Sequence, residues 1–233
     1  VALGVYLSFR VLNFPDLTVD GSFPLGAAAA AVAIVNGVDP FLATALATFA
    51  GASAGFVSGF LNVRFRILNL LAGILTMVAL YSINLRVMGR PNMSLYGEAT
   101  IFTPFEKWFD FGIWTTSIVL FVIALGMKVL VDWFLGTQVG LALRASGENP
   151  VMARAQSVSN DRMTLIGMTL SNALVGLAGA LFAQSQGMAD VSIGIGTIVT
   201  GLAALIIGET LLGSTKVVLA TLGCLIGAVL YRF

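Results

Sequence analysis

Histidine is missing from this chain, and cysteine occurs once, at position 224. A zinc centre therefore lacks its commonest ligands, and no internal disulfide can form. No G-x-S-x-G element is present to mark a hydrolase nucleophile. Charge is nearly as scarce. Twelve Lys and Arg and eleven Asp and Glu make up 10% of 233 residues, against about 25% in soluble domains. A net charge of +1 gives no basic face for nucleic acid. What fills the space is apolar: 58% of residues are hydrophobic, with a mean hydropathy of +0.98. A soluble domain of this make-up would expose large apolar patches. The composition points to a polytopic, all-α membrane helix bundle.

Apolar runs mark about eight spanning or half-spanning helices. One is partial, at 2–12; the others fall near 22–36, 41–61, 67–88, 113–135, 164–185, 194–212 and 215–231. None shows the ten-residue alternation of a membrane barrel strand. The chain begins at Val1 and ends at Phe233 inside an apolar run, so further helices are expected beyond both ends. Threading the eight segments alternately puts Arg10, Arg64, Arg66, Lys128, Arg144, Arg154, Arg162 and Lys216 on one side. Arg86, Arg90, Lys107 and Arg232 fall on the other. Lys and Arg accumulate on the cytoplasmic side, which places the connection 136–163 inside and 89–112 outside. The outer connection is net acidic and aromatic. Phe105, Trp108, Phe109 and Phe111 beside Glu106, Lys107 and Asp110 fit a short interfacial helix, either a surface anchor or part of a docking rim.

Two polar interruptions stand out. "NFPDLTVDGSFPLG" (13–26) brings Asp16, Asp20, Pro15 and Pro24 into otherwise apolar sequence. Pro15, Gly21 and Pro24 are expected to unwind residues 13–24. Backbone freed in this way cannot face lipid; it is buried in protein or lines water. The second interruption is "MADVSIGIG" (188–196). Aligning the two puts Asp16 on Asp190, Leu17 on Val191, Thr18 on Ser192 and Val19 on Ile193. The same offset lays span 41–61 over 215–231, which makes 1–88 and 164–233 candidate repeats of opposite direction in a single transmembrane domain. Matched interruptions of this kind point to a transport site. The polar residues they offer for a substrate pathway are Asn13, Asp16, Thr18, Asp20 and Ser22, then Asp190, Ser192 and Thr197. Asp16 and Asp20 either line that path or cap the following helix, with Asp20 or Ser22 bonding its first amides. The two roles are compatible.

Within the inner connection, Gly147 is expected to end one turn. Asn149 caps a new helix over 150–157 with Pro150 at its first position, and Asn160 and Asp161 cap the next span. Elsewhere Gly51, Gly55 and Gly59 form a close-packing face. Lys128 and Asp132 are spaced to pair, and Glu209 is wet or paired. "GETLLGSTK" (208–216) is no P-loop, because Gly213 is followed by Ser214 and Thr215 before Lys216. It reads as a turn between spans, which leaves ATP to be bound elsewhere. Ser214 and Lys216, two apart on a helix, do not face each other as a catalytic pair.

The inner connection and the span after it resemble the permease subunits of ABC importers of the branched-chain amino-acid and ribose type. That family carries G-x-x-x-R-A-x-x-x-N/D-x-x-x-A before a "GALAGLAG" span. Here Gly140, Arg144, Ala145, Asn149 and Ala153 precede "SNALVGLAGAL". The likeness covers about 1–231 and is strongest over 136–212. "LNFPDLTVDGSFPLGA" resembles the family's early "NFAxG" break, and "GETLLGS" its inner "GG" turn. The resemblance implies a coupling helix at Gly147–Ser157 seated in a separate ATPase, a substrate-binding protein outside, and a second permease copy, identical or related. Arg144, Ser146, Gly147, Glu148, Asn149, Pro150 and Arg154 would serve that coupling. "PDLTVDGS" departs from both the amino-acid and the sugar versions. It is most similar to an offshoot paired with binding proteins for amino acids, aromatic ones included.

Two functions follow as expectations. One is the permease subunit of an ATP-driven importer for a small polar solute, an amino acid or a relative, in the bacterial plasma membrane, with no cofactor of its own. The other is an ion-coupled secondary transporter, in which Asp16, Asp20 or Asp190 would titrate or bind sodium.

Overall fold

The computed structural model describes residues 1–108, 114–213 and 217–232, side chains at 106–108 excepted. Helices account for most of it. The chain opens with α1 (Ala2–Val5), which continues as a π-helix over Tyr6–Val11. After an irregular stretch come α2 (Val19–Val35), α3 (Pro40–Phe65) and α4 (Asn69–Met88). A short strand, β1 (Asn92–Ser94), and α5 (Phe102–Trp108) lead to α6 (Thr115–Gly136). Next are α7 (Gln138–Glu148), α8 (Pro150–Ala155) and α9 (Asn160–Gln186). Strand β2 (Met188–Asp190), a 3₁₀ turn (Val191–Gly194), α10 (Thr197–Leu212) and α11 (Val217–Arg232) complete the chain. Among the described residues five helical stretches are long and apolar enough to cross a membrane. The shorter apolar helices at 2–11, 19–35 and 217–232 join them in one bundle.

The mast of the bundle is α9. Of its most apolar window 56% is buried, against 17% for α6. Small residues let its neighbours come close, as they do where helices associate in lipid. A side chain on Gly26 of α2 or Gly51 of α3 would run into the Gly176 backbone, and one on Gly55 into the Met168 carbonyl. The expected close-packing face of α3 therefore seats on α9. At the start of α3, Asp39 Oδ1 accepts from Phe41 N (2.9 Å) and Leu42 N (3.4 Å), with Pro40 as the first helical residue. Lys128 and Asp132 pair at 2.5 Å. Thr221 Oγ1 donates to Asp132 at 2.6 Å, which fastens α6 to α11. Glu209 is paired, with Arg10, at 2.7 Å.

Several expectations need correcting. The first interruption is shorter than 13–24: α2 begins at Val19 and holds Gly21 and Pro24 inside it. Proline here leaves the Asp20 carbonyl without its partner four residues on, yet the helix persists because it is packed on both sides. Gly21 lies against α4, and the Pro24 ring lies against Gly194. Gly147 does not end a turn; α7 runs through it to Glu148. Asn149 ends that helix in an extended conformation (φ −146°, ψ 94°), as a residue before proline favours. Asn149 does cap α8, which stops at Ala155 rather than 157. Asn160 is the first residue of α9 and bonds sideways instead of capping it. The bundle also carries one element that is not helical: β1 and β2 pair antiparallel, Asn92 with Asp190 and Ser94 with Met188. Of the expected interfacial helix, α5 carries Phe105. Phe109, Asp110 and Phe111, like the turn at Ser214–Lys216, lie outside the described residues, as do the side chains of Glu106, Lys107 and Trp108.

Candidate functional site

Both interruptions are real breaks in the helical ladder, and the helix after the first bonds the start of the helix after the second. In the first, the π-helix closes with Leu12 N donating to Leu7 O (3.0 Å), the wide i→i+5 bond of that geometry. Asn13 then turns the chain through the left-handed region (φ 53°) and is exposed. Asp16 follows, with no exposed surface. Its Oδ1 accepts from Thr18 N (2.8 Å) and its Oδ2 from Asn172 Nδ2 (2.7 Å). Asn172 lies near the middle of α9, so this carboxylate sits at mid-depth. A carboxylate at such depth is costly unless its lone pairs are met, and two N–H groups meet them.

From there a polar network spreads across four helices, α2, α3, α4 and α9. Ser22 Oγ donates to Asn172 Oδ1 (2.7 Å), and Thr18 Oγ1 and Ser58 Oγ share a bond of 2.7 Å. Asn84 Nδ2 donates to Gly21 O (3.3 Å). Its Oδ1 has no partner among the described residues. Thr18, Ser22, Ser58, Asn84 and Asn172 are all buried. Asp16, Thr18 and Ser22 are thus brought together in a sealed network rather than on an open wall.

Asp20 does something different. It lies in the first turn of α2, but it caps neither that turn nor its own neighbours. Its Oδ2 accepts from Gly196 N (3.1 Å) and its Oδ1 from Ile198 N (2.8 Å). The carboxylate therefore stands between two helix starts, α2 and α10, where the dipoles of both favour negative charge. Neither Asp20 nor Ser22 bonds the first amides of α2, which correct the local-capping expectation: Ser22 is engaged with Asn172 and, weakly, with Val19 O at 3.4 Å. This side chain joins the start of α2, after the first break, to the start of α10, after the second. Gly194 allows it, since a side chain there would meet the Asp20 carbonyl and the Pro24 ring.

Asp190 repeats the local bond of Asp16. Its Oδ1 accepts from Ser192 N (2.6 Å) and from Ser192 Oγ, an Asx turn like the one between Asp16 and Thr18. It is not brought to Asp16, however; it is half-exposed at the end of β2. Thr197 Oγ1 donates to Ile193 O (3.4 Å), and Thr197 lines a cavity of about 570 Å³ between α1, α6, α9, α10 and α11. That cavity is mainly apolar, with Phe23, Leu174 and Phe182 on its walls; Ser185, Thr197, Thr200, Tyr231 and Arg232 are its polar points.

At the opposite end, α7, α8 and the start of α9 form a corner. Asn149 Oδ1 accepts from Val151 N and Met152 N, each at 3.1 Å. Ser146 Oγ donates to Asn160 Oδ1 (3.0 Å), and Asn160 Nδ2 donates to Pro150 O (2.9 Å). Glu148, Asn149, Pro150 and Arg154 are exposed, Arg144 and Gly147 are half-buried, and Ser146 is buried. Sequence reading missed Asn172, Ser58, Asn84 and Gly194. The first three carried a signal, a polar side chain inside an apolar run; Gly194 carried none.

A multi-pass helical bundle with two interrupted helices meeting inside it is the architecture of a membrane transporter. The chain belongs to the family described as "Branched-chain amino acid transport system / permease component", whose model matches residues 1–233. It is a transport permease rather than a catalytic enzyme. It is 38% identical to the tyrosine transport system permease protein of Clostridioides difficile (strain R20291), over 100% of this chain and 76% of that one. It is 30% identical to the autoinducer 2 import system permease of Enterobacter sp. (strain 638), over 100% of this chain and 64% of that one. With the ribose import permease of Escherichia coli (strain K12) the identity is 27%, over 94% and 67%. No solved structure matches the chain.

Proposed function

We propose that this permease imports an amino acid with an aromatic side chain, on ATP hydrolysed by a separate subunit. In this reading a binding protein delivers the solute outside the bacterial plasma membrane, and the ATPase seats on the 144–154 corner. A second permease copy, identical or related, completes the path. The observation that supports it is the meeting of the two interruptions at Asp20, beside a cavity that Thr197 lines. The likeness to a permease named for tyrosine directs the choice of solute. Thr197 faces the path, with Asn13 and Ser192 at the turns of the two breaks. Asp16, Thr18 and Ser22 hold the first break in shape, and Asp190 and Asp20 hold the second.

The test is uptake of labelled tyrosine by the complete assembly, with leucine and ribose as competitors. Uptake that needs ATP and is blocked by excess tyrosine supports the proposal. Uptake that survives ATP depletion and collapses with a proton or sodium ionophore would support the ion-coupled reading instead.

A further inference from the structure

We infer that Gly147 is the point through which the α7–α8 corner acts on the first helix break; this rests on the importer reading above. Three observations meet at that residue. First, the corner is one body. Asn160 accepts from Ser146 of α7 and donates to the Pro150 carbonyl at the start of α8, so α7, α8 and the base of α9 are tied through a single side chain. Its outer tip shows Val151 and Met152, 78% and 61% exposed, apolar handles for a partner. Secondly, the back of the same body rests on the break. A side chain on Gly147 would collide with the carbonyl oxygen of Val11, the last residue of the π-helix. Beside this contact, Leu12 and Leu143 both pack where a side chain on Gly167 of α9 would go.

Thirdly, that carbonyl has no continuing helix to engage it. Its α-helical partner would be the nitrogen of residue 15, which is Pro15 and carries no hydrogen. The π-helix, itself one residue out of α register, ends there, and Asn13 turns the chain away. Single π-helical turns recur at functional sites. Gly147 lies inside α7 at ordinary helical angles, where glycine weakens a helix relative to alanine. Its use there is the close approach to Val11, not backbone freedom. A push on Val151 and Met152 thus reaches Val11, then Asp16 and Asp20, and through Asp20 the start of α10.

The experiment uses the full assembly with ATPase and binding protein, in a Cys224→Ala background carrying Ile195→Cys as a thiol reporter on the second break. In the parent, a non-hydrolysable ATP analogue is expected to change labelling of the reporter at least threefold. Gly147→Ala should keep membrane insertion and ATPase co-purification, lower tyrosine uptake at least tenfold, and abolish the nucleotide-dependent change in labelling. A purely structural glycine would instead lower assembly and leave that change intact in the protein that remains. Should Gly147→Ala fail to assemble, Leu12→Cys with Leu143→Cys carries the test without the reporter. Oxidation should stop uptake and reductant restore it. Parental uptake rates in these variants would overturn the inference alone. A parent that imports no amino acid would overturn the importer reading beneath it.

Discussion

Asn172 keeps Asp16 supplied with a hydrogen bond at the middle of the bundle, and two predictions follow from side chains of this kind. Asn172→Leu strips Asp16 of one donor and Ser22 of its acceptor. Leaving buried polar groups unmet costs about 1–3 kcal/mol, so the melting temperature of the purified permease should fall by several degrees. An unchanged melting curve would show the network to be slack. Asp20→Ala removes the cap from Gly196 N and Ile198 N, a loss of about 0.5–2 kcal/mol. Uptake should fall more than stability does, because the lost bonds join the two breaks; Asp20→Asn, which keeps one acceptor, should fall between. Parallel melting and uptake measurements on the three proteins decide it. At this scale the sequence was half legible. A carboxylate in an apolar run announces itself, but its partner does not: Asp20 bonds residues 176 and 178 positions away, and no local pattern encodes that.

The elements were the most legible level, since about 20 apolar residues make a span whatever surrounds them. The α8 helix could also be read in advance, because Asn149 and Pro150 form a local start signal. Two elements could not. Gly21 and Pro24 look like breakers, yet α2 contains both, because packing against α4, α9 and Gly194 outweighs local propensity. The β1–β2 ribbon is three residues a side, too short for alternation to show. The packing itself yields a contrast within glycines. Gly51→Leu should wedge α3 off α9 and abolish the monodisperse peak in size-exclusion chromatography. Gly126→Leu on α6, where nothing stands within 4 Å, should leave the peak unchanged. Equal behaviour of the two would contradict the packing described for α9.

For the molecule as a whole the quantity to measure is direction. Ser146 is buried and bonded to Asn160, so Glu148 and Tyr96 are the probes of choice. Both are exposed, Tyr96 at 95%. In a Cys224→Ala background, Glu148→Cys should react with an impermeant thiol reagent only in inside-out vesicles, and Tyr96→Cys only in intact cells. The reverse pattern would invert the threading. Neighbouring connections agree on one point that needs no orientation: β1 belongs to the segment after α4, and β2 opens the second break. Their backbone bonds make the segment 92–94 a tether on residues 188–190, six positions before Gly196. Whatever seizes that tether from the water holds a short rein on the grip of Asp20, without ever entering the membrane.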